Sequence, residues 1–86
     1  MYYIKITSED IDLSKFGSID YIYLELDGDG FPVREIGFNK NNDLVHKHPS
    51  ANYKYGTYGI FDMSSFDLGN LESELTAENF EKIWNK

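Results

Sequence analysis

The chain contains no cysteine, two prolines and a single arginine, Arg34, in 86 residues. Without cysteine there is no disulfide framework and no thiol chemistry, which excludes the stapled secreted mini-domains and fits a reducing, cytoplasmic setting. One arginine leaves the chain without the usual fork for gripping phosphates. Fifteen acids against eight bases give a net charge of −7. A basic nucleic-acid-binding or membrane-binding surface is therefore not expected as the main function. No apolar run approaches the roughly 20 residues of a membrane span. The start, Tyr2 to Thr7, alternates too regularly for a signal peptide. A glycine-rich phosphate loop is missing, and no serine–histidine–acid order stands out, so the expectation is a protein that is not an enzyme and takes no cofactor.

What is present is aromatic. Seven tyrosines, six phenylalanines and one tryptophan make an aromatic share of 16%, within a hydrophobic share of 41%. That is enough to fold one domain over residues 1–86 and too little chain for two.

Tyr2, Ile4 and Ile6 alternate with Tyr3, Lys5 and Thr7, the pattern of a half-buried first strand. Residues 8–18 read as a polar loop anchored by Ile11, Leu13 and Phe16. From Asp20 to Asp27 alternation returns, with Ile22, Leu24 and Leu26 on one face and Tyr21, Tyr23, Glu25 and Asp27 on the other. Asp27-Gly28-Asp29-Gly30 supplies a turn. Phe31 to Asn39 resumes as a strand whose parity slips at Arg34-Glu35, where a bulge is expected. Lys40 to Asp43 turns again, and Leu44 to Lys47 is a fourth strand. A fifth, around Tyr58 to Phe61, has a weaker pattern.

Near the end, Thr76 is placed to cap a helix, with Glu78 in its first turn and Lys82 and Lys86 in its last. Leu75 and Phe80 have the spacing of a hydrophobic staple, and Phe80, Ile83 and Trp84 share one helical face. The expected fold class is α+β: an antiparallel meander of four or five strands packed against a C-terminal helix.

Glu25 to Gly30 imitates the first half of a calcium-binding EF-hand loop, but Ile36 stands where the bidentate glutamate belongs. His46 and His48 share a face of a regular strand, without the further ligands of a zinc site. A structural or surface role fits them better, and no metal is expected. The acids are uneven: seven with one lysine over residues 9–29, six with no base over 62–81, and two against four bases over 30–61. Tyr53, Tyr55, Tyr58 and Phe61 crowd a glycine-containing loop, and tyrosine suits protein interfaces.

The strand Tyr23-Leu24-Glu25-Leu26-Asp27, the continuation Val33 to Phe38, the opening Tyr2 to Ile6 and the ending Phe80-Glu81-Lys82-Ile83-Trp84 resemble a family of small, uncharacterised bacterial proteins. In size, acidity and lack of catalytic residues the chain is also similar to the immunity proteins of bacterial contact-dependent growth-inhibition systems. That resemblance implies a cytoplasmic inhibitor, monomeric in a 1:1 complex, that neutralises a cognate basic toxin domain, an RNase or DNase, without touching nucleic acid or membrane. The partner-binding residues expected on this reading are the acids Glu25, Asp27, Asp29, Asp62 and Asp67, with Tyr23, Tyr53, Tyr55 and Tyr58 as anchors. The alternative is an acidic adaptor or nucleic-acid mimic unrelated to toxins.

Overall fold

A computed structural model of the chain describes residues 1–7, 9, 13, 17–49, 66 and 75–85. Four strands, β1 (Tyr2–Thr7), β2 (Tyr21–Leu26), β3 (Pro32–Phe38) and β4 (Leu44–His48), are followed by helix α1 (Ala77–Trp84). The sheet order is β1-β2-β3-β4 with every pair antiparallel, so the α+β meander expected from the alternation is the observed architecture. The loop over residues 8–18 lies mostly outside the described residues, and the fifth strand near Tyr58 wholly so.

The two hairpins at β2–β3 and β3–β4 are built alike. In the first, Asp27 N–H donates to Phe31 O at 2.9 Å and Gly30 N–H to Asp27 O at 3.1 Å. In the second, Asn39 N–H donates to Asp43 O and Asn42 N–H to Asn39 O, both at 3.0 Å. Gly30 (φ 86°) and Asn42 (φ 64°) take the left-handed conformation that closes such three-residue loops. The register then slips once beyond each turn, leaving Val33 in β3 and Val45 in β4 as the extra residue. Residues 26–33 and 38–45 are thus one device used twice, twelve residues apart. The bulge expected at Arg34-Glu35 lies one residue earlier, at Val33, because the three-residue turn sets the slip next to itself.

The register sorts the side chains into two faces. Ile4, Ile6, Ile22, Leu24 and Leu26 form one core with Leu13, against which Ile19 and Phe66 pack. Ile22, Leu24 and Leu26 are completely buried, each worth about 2–3 kcal/mol of apolar transfer. Gly37 is needed on this face: a Cβ there would stand 2.9 Å from the His46 Cβ and 3.3 Å from Ile19. The other face carries Ile36 and Phe38 and receives the helix through Phe80, which is fully buried, with Ile83, Trp84 and Leu75 around it.

The helix is thus laid on the tyrosine-and-glutamate side of β2, not on its aliphatic side. Its N-cap is the expected one: the Thr76 hydroxyl accepts the Asn79 N–H at 3.1 Å.

Candidate functional site

Burying the polar side of β2 requires its charge to be answered, and the sequence's lone arginine does this. Antiparallel pairing sets Tyr3, Glu25 and Arg34 side by side across three strands. Arg34 donates from Nε to Glu25 Oε1 and from Nη2 to Glu25 Oε2, both at 2.6 Å. The Tyr3 hydroxyl donates to Glu25 Oε2 at 2.7 Å. Arg34 Nη2 also donates to Glu81 of the helix. Above the guanidinium lie the rings of Phe80 and Trp84, with centroids 4.9 and 5.0 Å from Cζ. Lys47 reaches in from β4, its Nζ 4.7 Å from the Trp84 ring and hydrogen-bonded to the Trp84 carbonyl at the C-terminal end of the helix.

The electrostatics follow from these contacts. The Arg34 bonds hold the Glu25 carboxyl below its ordinary value, overcoming the effect of burial. Glu25, and then Glu81, push Arg34 further up. Burial, reinforced by the Glu25 hydrogen bond, raises Tyr3.

On the aliphatic face a second polar pair is enclosed. Glu35, 1% exposed, meets His46 Nε2 at 2.9 Å, and His48 lies opposite Glu35 in the register. His46 and His48 do share a face, as alternation requires, and His46 is buried. No group of three metal-ligating side chains occurs among the described residues.

The expected binding residues separate in this frame. Glu25 is 4% exposed and held by Arg34 and Tyr3, so it stands beneath the helix instead of on the acidic surface where the sequence reading placed it. Tyr23 is half-buried, 5.1 Å from the Phe38 ring and 5.6 Å from that of Tyr21. Asp27 is half-buried and holds its own turn: Oδ1 accepts the N–H groups of Asp29 at 2.9 Å and Phe31 at 3.0 Å. Asp29 is exposed at the tip. Tyr53, Tyr55, Tyr58, Asp62 and Asp67 lie outside the described residues.

Comparisons with protein-family models, with curated proteins and with solved structures find no match. The chemistry of the chain therefore rests on its own geometry. Among the described residues, the functional candidates that sequence reasoning overlooked are Phe31 and Val33, 45% and 39% exposed beside the Asp27 turn. The parity slip in strand three signals a bulge nearby, and the register shows that Val33 is the residue the ladder leaves out.

Proposed function

We propose that this chain is an immunity protein: a cytoplasmic inhibitor that binds a cognate, positively charged toxin domain, an RNase or DNase, and blocks it in a 1:1 complex. The observation that carries this reading is the charge arrangement. The sequence has a net charge of −7, its lone arginine is turned inward onto Glu25 and Glu81, and the β2–β3 tip presents Asp29 to solvent beside Asp27. A nuclease cleft is built to attract phosphates, so an acidic domain meets it with complementary charge, which accelerates encounter and rejects other partners. No described helix is long and apolar enough to cross a membrane.

Co-expression with the C-terminal domain encoded immediately upstream tests the proposal. Cell survival together with a co-purifying 1:1 complex is the expected result. A toxic upstream domain that this chain neither binds nor neutralises would overturn the reading and favour an acidic adaptor instead.

A further inference from the structure

Among the described residues the exposed large hydrophobics are Met1, Tyr2, Phe31 and Val33, at 67%, 47%, 45% and 39%. They are not scattered. Tyr2 is opposite Leu26, and Leu26 is opposite Pro32, so Met1, Tyr2, Phe31 and Val33 all gather at the Asp27 end of the sheet. Neither Phe31 nor Val33 belongs to either core cluster.

The twin hairpin gives an internal control. Phe31 holds the position that Asp43 holds in the second turn, closing the same hydrogen bond, Asp27 N–H to Phe31 O against Asn39 N–H to Asp43 O. A polar residue therefore serves that backbone as well. Val33 matches Val45, which is half-buried where Val33 is exposed. Turn geometry thus calls for neither an exposed phenylalanine nor an exposed valine at this end, and the cost of leaving them in water points to a surface that is covered in use.

We infer that the β2–β3 tip is the docking surface, with Phe31 and Val33 as its apolar anchors inside an acidic rim of Asp27 and Asp29. The inference deepens the proposed function and rests on it. The occupant is a basic protein surface that offers an apolar hollow flanked by lysine or arginine. A second copy of this chain is the wrong occupant, because two bodies each carrying −7 repel. Interfaces of standard size take about 800 Å² per partner, roughly 15% of the surface expected for this mass, with a few apolar anchors dominating the energy. The tip and its flanks supply such a centre, and the acids around it supply the rim.

The test uses the upstream-encoded toxin domain as the probe. A Phe31→Ser, Val33→Thr double variant is expected to bind it at least about 30-fold more weakly, mainly through faster release. Lys40→Ser at the other tip is expected to bind within about twofold of wild type. In the unmutated complex, hydrogen exchange is expected to slow at residues 27–33 and not at 39–45, a readout independent of how any variant folds. Wild-type binding with an unaffected double variant, or protection confined to the second tip, would overturn the docking surface and leave the immunity reading standing. No wild-type binding at all would overturn both.

Discussion

Asp27 and Asn39, twelve residues apart, close their hairpins with the same hydrogen bonds: each Oδ1 accepts the N–H groups two and four residues ahead. The distances are 2.9 and 3.0 Å at Asp27 and 2.8 and 3.0 Å at Asn39. A carboxylate and an amide oxygen do one job. Asp27→Asn should therefore keep the turn while removing a charge, and stability should stay within about 0.5 kcal/mol of wild type in urea unfolding. Asp27→Ala loses both bonds and is expected to cost about 1–2 kcal/mol. In the complex, Asp27→Asn should slow association a few-fold and flatten its salt dependence, as measured by stopped flow.

Gly30 answers two demands at once, and its neighbour Gly28 answers neither. Its φ is 86°, and a Cβ there would lie 2.2 Å from the Phe66 carbonyl oxygen, whose own N–H donates to Gly30 O at 2.9 Å. Gly30→Ala is expected to destabilise by at least about 2 kcal/mol, since the left-handed penalty alone is about 1–2. Gly28→Ala meets nothing within 4 Å and should change the urea midpoint little.

Removing one partner of the buried ion pair should cost far more than removing both. Arg34→Met leaves Glu25, whose side chain is 5% exposed, without its cation; the expected loss is about 3–5 kcal/mol. Replacing both, Arg34→Met with Glu25→Leu, should recover much of that. Trp84, the only tryptophan, packs over Arg34 and Lys47, so its fluorescence reports the release of the helix.

The same pair sets the acid response. Because Glu25 titrates below its ordinary 4.5 when folded, the unfolded chain takes up the proton first. The stabilisation is complete above that ordinary value and is lost as pH falls through the lower, folded one. Thermal melts from pH 7 down to pH 3 should show a fall beginning near 4.5, and Glu25→Gln should flatten that part of the profile. Glu81 moves in the same direction but is exposed, so its share is small.

Strand two, both turns and the Thr76 cap were legible because each depends on local chemistry: alternation, left-handed-tolerant residues and a side-chain oxygen. The face chosen by the helix was not. Alternation along β2 separates aliphatic from polar residues, and a polar label suggests solvent. What buried that side was Arg34, nine residues further on, and it reaches Glu25 only once the hairpin register exists. Glu25 was mistaken for a surface acid for this reason. Glu35 and His46 were hidden in the same way, since each looks polar alone and the two become neighbours only through the pairing of β3 with β4. The exposure of Phe31 and Val33 was not legible either, because parity alone does not say which side of a strand faces water.

The self-bonded turns have a consequence for how the molecule tolerates change. Asp27 and Asn39 hold the loops, while Gly28, Asp29, Lys40 and Asn41 are exposed at their tips. Those four positions can be rewritten without disturbing the strands behind them, so the protein is a natural display frame. At the tips, what is presented and what keeps the loop folded reside in different residues, Asp27 excepted, which serves both.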